Sequence, residues 1–498
     1  MVRKQDARSK TLAKRLKQSS KKDRIRNAIN VELTTNKAAI ASELNWLLGS
    51  IFAEDAFHGN STWDPYELVS QALVWALQES KNVTDAFHNS LLFCDSLGMQ
   101  QTAKSYPRFM NVLTKHNVLS TRVRSSIQQR AEEVSGRFWR DNGWVLFAFD
   151  GSRVSVPRTV SNEDAYCASN YGSGNTSKYR KKKTKGMRRT KNEKAKAQPP
   201  GPQIWITMVW HMGLRLPWTW RLGPSNSSER QHVEEILNTE QFPEKTLFCG
   251  DAGFVGFPLW TTLISAKVEF LVRVGGNVSL LSVHADIQRL KDNVVLCWPK
   301  DKMRSGAKPL KLRLVKVKIG KTTMWMLTSV LDRKKLSIKQ IIRYYKMRWG
   351  IEVEFRGLKQ TLDNRKLSCR NCENSKAELE WSIIAMAFAE LLGTRRQIPD
   401  KPKKNGDREY RITDRSLAET VRAIRTAMVA PDKKPEPGMG LVNQLKEAIV
   451  QRYNNKTDKK SRYQRPNPDK KPLKDPDIRK INAIERKRLR ELDIKIAA

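Results

Sequence analysis

Four residues in the stretch RYYKMRWGIEVEFRGLK, Arg343 to Lys359, have types and spacing suited to handling phosphate and metal. At about 100° per residue, Tyr345, Arg348, Glu352 and Lys359 fall within an arc of roughly 60° on a helix. Apolar residues recur at helical intervals as Ile342, Tyr345, Trp349, Val353, Leu358 and Leu362, and Ser337 stands where an N-cap belongs. Glu354, the nearest other carboxylate, points roughly 160° away from Glu352. Gly350 is the weak point, because glycine costs about 1 kcal/mol in a helix interior. A break there leaves Glu352 and Lys359 aligned but frees Tyr345 and Arg348. Taken alone, this face reads first as a solvated surface with an Arg–Glu pair at i, i+4.

Two aspartates elsewhere change that balance. WVLFAFD, Trp144–Asp150, is a continuous apolar run closed by Asp150, and TLFCGDAGF, Thr246–Phe254, is a shorter one followed by Asp251. Runs without alternation are the mark of strands buried on both faces. In open sheets the polar groups beyond strand ends gather in one crevice. Three carboxylates gathered there repel one another unless a cation holds them. Oxygen-only ligands suit Mg²⁺ or Mn²⁺. Two such ions about 4 Å apart would clamp an in-line phosphoryl displacement.

The composition names the substrate of such chemistry. The chain has 498 residues, 93 Lys plus Arg against 51 Asp plus Glu, and a formal net charge of +42. That excess points to a polyanion, with nucleic acid the default. No apolar run reaches the ~18 residues of a spanning helix, so no membrane partner is expected and the protein reads as intracellular. Six cysteines in so long a chain make no disulfide framework, and the Cys369–Cys372 pair lacks the second pair that a zinc site needs.

The elements that must position the acids follow from the pattern along the chain. Residues 1–26 hold eleven Lys or Arg and two Asp, a basic arm. Residues 27–140 are helical in pattern, and a Ser105–Ser120 segment within them has the character of a helix-turn-helix. Residues 141–395 alternate strands and helices, with a β-rich stretch at about 275–335. Within them, residues 178–196 carry eleven Lys or Arg and one Glu, a basic loop suited to tracking phosphates. Residues 396–498 are basic with amphipathic helices, a possible dimerisation region.

With the acids and their order in place, Tyr345-x2-Arg348-x3-Glu352-x6-Lys359 resembles the Y-R-E-K signature of the insertion-sequence-four family of bacterial DDE transposases. Asp150 in FDGS and Asp251 in GDAGF match that family's first two acidic motifs, and the β-rich insertion before the glutamate is a family trait. Ala252 departs from relatives that carry Arg after the second Asp. The resemblance covers roughly residues 140–395. It implies an α/β fold: a ribonuclease-H-like mixed sheet core interrupted by the β-rich insertion, with a helical N-terminal DNA-binding domain and a helical basic C-terminal region. It implies cut-and-paste transposition of an insertion sequence by metal-dependent end cleavage and strand transfer, with two Mg²⁺ or Mn²⁺ ions held by Asp150, Asp251 and Glu352 as catalytic ligands. Tyr345, Arg348 and Lys359 would bind phosphates of the transposon end, and Trp298 is the candidate to stack on a displaced base, although a tryptophan of this kind reads first as a core residue. The expected partners are double-stranded DNA, as terminal inverted repeats and target, and a second copy of the chain. The expected location is the cytoplasm with the nucleoid. A metal-dependent nuclease on the same fold and a non-catalytic DNA-binding derivative of a transposase stay open.

Overall fold

The structure is a computed structural model that describes residues 35–52, 62–80, 82–167, 201–283, 292–320, 322–398, 415–429, 431–432, 434–436, 438–450 and 474–494. The basic arm at 1–26 and the basic loop at 178–196 lie outside the described residues.

Five helices come first: α1 (Asn36–Leu48), α2 (Pro65–Leu77), α3 (Val83–Ser96), α4 (Tyr106–Lys115) and α5 (Asn117–Ser135). Then follow β1 (Val145–Ser155), α6 (Val160–Tyr166), β2 (Gln203–His211), β3 (Leu216–Gly223), α7 (Glu229–Thr239), β4 (Thr246–Gly250), α8 (Phe257–Ser265) and β5 (Glu269–Val274). The β-rich stretch supplies β6 (Ser279–Ser282), β7 (Asp292–Cys297), α9 (Lys300–Arg304), β8 (Leu310–Ile319) and β9 (Thr322–Thr328). The chain continues through α10 (Ile338–Arg348), α11 (Gly350–Gln360), α12 (Cys372–Gln397), α13 (Leu417–Val429), α14 (Leu441–Glu447), β10 (Asp477–Lys480) and α15 (Ala483–Glu491).

Two compact units result, one of residues 1–134 and 380–450, the other of 135–379 and 451–498. The boundaries therefore differ from the sequence reading. Residues 380–450 join the N-terminal helices, and the end of the chain joins the sheet. Among its described residues the first unit is all helical apart from an isolated bridge, Arg415 to Ile449. Its α2 starts at an Asp64 cap that accepts from the Tyr66 and Glu67 amides and is buried along most of its length. Glu43, 1% exposed, is held by Arg395 and Arg396. A buried carboxylate needs such partners.

The second unit is built on a ten-stranded sheet in the order β10-β6-β7-β8-β9-β5-β4-β1-β2-β3. Strands β1, β2 and β3 pair antiparallel, whereas β1, β4 and β5 run parallel. That is the ribonuclease-H-like arrangement. The β-rich insertion does not stand apart from it, because β9 pairs with β5 and carries the same sheet onward. The first five residues of β1 and all of β4 are buried, as their unbroken apolar runs predicted. Phe147, Phe149, Phe248 and Phe254 pack as rings at 4.2 to 5.6 Å around them. The outer strand β10 comes from the end of the chain and pairs parallel with β6. Ile481 and Leu489 beside it close a small core over Leu281, Leu296 and Trp298.

The signature stretch is two helices, jointed at Trp349. Ser337 is the expected N-cap, and with Gln340 it forms a capping box at the start. The predicted stripe holds at its end, where Leu358 and Leu362 are buried, but before that Ile341, Tyr344, Ile351 and Phe355 are buried whereas Trp349 and Val353 are exposed. The reason is packing at the joint. The Trp210 ring of β2 lies against the Gly350 Cα, where a methyl group would stand 2.8 Å from Trp210 Cζ3. Glycine is therefore the residue that lets the helix seat on the sheet.

Candidate active site

The sheet register sets the two aspartates side by side. Ala148 of β1 pairs with Cys249 of β4, so two residues further along each chain stand Asp150 and Asp251. β4 ends at Gly250, and Asp251 follows it, as expected. β1 instead runs on to Ser155, paired with β2, so Asp150 sits in mid-strand where the buried run gives way to partly exposed residues. Each aspartate accepts from a backbone amide nearby: Asp150 Oδ1 from Gly151 at 2.8 Å, and Asp251 Oδ1 from Gly253 at 2.7 Å.

Side chains alternate along a strand, so Asp150 and Ser152 share one face of β1 and Gly151 lies on the other. On the first face the two jointed helices close the site. Lys359 Nζ donates to Ser152 Oγ at 2.7 Å. Arg348, only 6% exposed, places Nη2 at 3.4 Å from Glu352 Oε1 and Nη1 at 3.9 Å from Asp150 Oδ2. Its guanidinium lies 5.5 Å from the centre of the Tyr345 ring. The joint at Trp349 thus preserves the alignment of Tyr345, Arg348, Glu352 and Lys359, because Trp349 itself stays in the helical region of backbone space. Arg348 Nε is buried without a hydrogen-bond partner among the described residues. A buried donor of that kind calls for an acceptor. The cleft here has a volume of about 390 Å³ and is lined by Asp150, Ser152, Glu352, Arg356, Lys359 and Arg365 among others.

The electrostatics follow from burial and crowding. Burial pushes the Asp150 carboxyl up to about 6; the Gly151 amide and Arg348 hold it down against Asp251 and Glu352. Burial and then Asp150 and Asp251 push Glu229, at the start of α7, up to about 7. Burial, and then Arg365, lower the Lys359 ammonium. Asp150 thus feels the charges of Asp251 and Glu352, Glu229 feels those of Asp150 and Asp251, and Arg348 supplies the positive charge between Asp150 and Glu352. Among the described residues no three His, Cys, Asp or Glu side chains surround one common point at ligand distance. Arg348 accounts for this spacing, since Asp150 and Glu352 are disposed about its guanidinium. The donor chemistry nonetheless fits a hard divalent cation, since every group is a carboxylate oxygen.

Trp298 lies elsewhere. It is 4% exposed, packs on Leu281, Leu296, Ile481 and Leu489, and donates its ring N–H to the Ala307 carbonyl at 2.8 Å. The expected base-stacking tryptophan is a core residue here, with only an edge on a separate cavity of about 510 Å³. Tryptophan's large apolar ring was the better predictor. Sequence reasoning missed Ser152, Glu229, Arg356 and Arg365. No local pattern separates Glu229 from Glu234 and Glu235 on the same helix, or Arg365 from any other loop arginine.

Cys369 is buried and Cys372 partly so, and all six cysteines are free. Among the described residues no helix is long and apolar enough to cross a membrane.

Comparison with known proteins bears on this site directly. Residues 145–388 match the family model for the transposase DDE domain, a span that contains all three expected acids. No curated protein matches the chain. Among solved structures, the cryo-EM structure of a piggyBac transposase synaptic complex with hairpin DNA is similar at 12% identity and a TM-score of 0.36, over 82% of this chain and 80% of that one. The assignment rests on the family model: residues 145–388 carry a transposase DDE domain, which supports an enzyme of DNA transposition.

Proposed function

We propose that this enzyme moves an insertion sequence by a cut-and-paste route, and that it belongs to the bacterial insertion-sequence-four family with the Y-R-E-K signature. Asp150, Asp251 and Glu352 would hold two Mg²⁺ or Mn²⁺ ions. When bound, such ions polarise the scissile phosphate and stabilise both the attacking and the leaving oxygen. The chain's own residues do the rest. Arg348 donates its unpartnered Nε–H to a phosphate of the transposon end while its two Nη groups stay between Asp150 and Glu352. A charge-assisted hydrogen bond of this kind is stronger than a neutral one. Tyr345 backs the guanidinium, and Lys359, held by Ser152, supplies a point charge beside the cut. Arg356 and Arg365 extend the positive wall of the cleft along the DNA backbone.

The single observation that carries this reading is the buried Arg348, tied to two acids of the DDE domain and left with a donor facing no partner among the described residues. The DNA partners are then the terminal inverted repeats and the target. Two ends must be joined in one event, so a homodimer on DNA is the expected assembly, acting in the cytoplasm at the nucleoid. Residues 27–140 would contribute DNA binding and the helices after residue 396 dimerisation.

The test is cleavage of DNA carrying the element's own ends in Mg²⁺. Asp150→Asn, Asp251→Asn and Glu352→Gln should each lose about 10³-fold or more in rate, the effect of several kcal/mol at the transition state. End binding should survive. A variant that cleaves like the wild type removes that residue from the ligand set.

A further inference from the structure

Asp150 and Asp251 are held in different ways. Asp150 sits within a strand, where pairing with Met208 of β2 fixes its backbone. Asp251 follows the last residue of β4, whose final pair is Gly250 with Val272 of β5. The ladder therefore leaves Asp251 to the turn after it. That turn has little stiffness of its own, because Gly253 opens most of backbone space.

The turn is held from outside instead. Asn277 Nδ2, between β5 and β6, donates to the Ala252 carbonyl at 3.0 Å. Arg230 Nε, at the start of α7, donates to the Gly253 carbonyl at 2.9 Å. Two successive carbonyls are thus gripped by side chains from separate elements. The first grip reaches the carboxylate. The Ala252 carbonyl and the Gly253 amide belong to one planar peptide unit, and that amide donates to Asp251 Oδ1 at 2.7 Å. Turning the unit over would break both bonds, so Asn277 at one end fixes the carboxylate at the other. Asn277 is braced in turn. Its Oδ1 accepts from the Gly275 amide at 3.2 Å, and the Gly276 amide donates to the Lys474 carbonyl at 2.8 Å.

An asparagine in a tight turn is ordinarily explained by bonds to its own turn. The Gly275 bond meets that account; the bond to Ala252, 25 residues away, is not needed for it. An arginine in the first turn of a helix opposes the helix dipole. Its bond to Gly253 gives it a reason to be there.

We propose that Asn277 and Arg230 are positioning residues for Asp251, clamping the turn so that the carboxylate keeps its place beside Asp150. The proposal rests on the reading of Asp251 as a metal ligand.

Amide hydrogen exchange over residues 251–256 of the metal-free full chain reads the clamp apart from activity. Asn277→Ala should speed that exchange about fivefold. Its cleavage of DNA ends in Mg²⁺ should fall about tenfold or more, with end binding unchanged. Arg230→Gln separates clamp from charge, because glutamine Nε2 stands as many bonds from Cα as arginine Nε does. Arg230→Gln should therefore cleave close to the wild-type rate, whereas Arg230→Ala should lose about as much as Asn277→Ala. Equal losses in Arg230→Gln and Arg230→Ala overturn the role of Arg230. Wild-type exchange and cleavage in Asn277→Ala, with cleavage lost in Asp251→Asn, overturn the clamp and leave the reading of Asp251 standing. Cleavage retained by Asp251→Asn overturns that reading itself and this inference with it.

Discussion

Gly350→Ala sets two known effects against each other, and the structure decides the sign. In an ordinary helix interior the change stabilises by about 1 kcal/mol. Here the new methyl group would stand 2.8 Å from Trp210 Cζ3 and 3.2 Å from Cζ2. Trp210 is 1% exposed, in a strand paired on both edges, so its ring has nowhere to retreat. Overpacking a filled core costs about 1–3 kcal/mol, and contacts this short take the upper part of that range, about 2–3 kcal/mol. The net effect should be a loss of about 1–2 kcal/mol, felt at the joint between α10 and α11. Because the chain has two compact units, global unfolding is a poor readout. Amide hydrogen exchange over 338–360 reports the local change. Protection there should fall about 5–30-fold. Cleavage should fall further, since Glu352 sits two residues from the new methyl and a misplacement of about 1 Å can cost 10²-fold. Adding Trp210→Phe should return much of the protection, a non-additive rescue. Protection that is unchanged or raised in Gly350→Ala would refute the claim that this glycine exists to seat the helix on Trp210.

Three more outcomes follow from the same structure. His211 is fully buried, stacks on Trp139 at 4.9 Å, and is pushed down to about 3 by burial. Its neutral form is the folded one, so its contribution is present above pH 6.5 and is lost as pH falls from there toward 3. At pH 4.5 the loss is about 3 kcal/mol; urea midpoints of the wild type should fall between pH 7 and 4.5 more than those of His211→Asn. Ending the chain at residue 473 removes β10 and uncovers the core of Leu281, Leu296 and Trp298. Loss of Ile481 and Leu489 alone should cost about 3–6 kcal/mol, read as faster exchange in β6 and β7 and as binding of a hydrophobic dye. Lys359→Ala with Arg365→Ala should lower the slope of log affinity for DNA against log salt by about 2, one for each phosphate that is no longer neutralised; an unchanged slope would place both side chains away from phosphate.

How much of this was legible beforehand can be judged residue by residue. The local signals held where the cause was local. Unbroken apolar runs announced β1 and β4, because a strand covered on both faces has no polar side to show. The capping box at Ser337 and the helical spacing of Tyr345, Arg348, Glu352 and Lys359 needed only neighbours in the chain. The apolar stripe held at Leu358 and Leu362 and failed at Trp349 and Val353, which are apolar yet exposed, while a buried arginine and a buried Glu354 occupy the core side. Composition cannot foresee a charge kept inside by its partners.

The sequence by itself determined the strand runs, the acids Asp150, Asp251 and Glu352, and the aligned face of the signature helices, since each depends on residue type and on periods of two or 3.6. Only the tertiary structure decided that Asp150 and Asp251 are neighbours across a parallel ladder, that Gly350 meets Trp210, that Trp298 is core, that the last strand of the sheet comes from the chain's end, and that Asn277 holds the turn after Asp251. Each of these joins residues dozens to hundreds of positions apart. Packing chooses such pairs by shape and by the need to cover apolar surface and pair charge, and no local period encodes that choice.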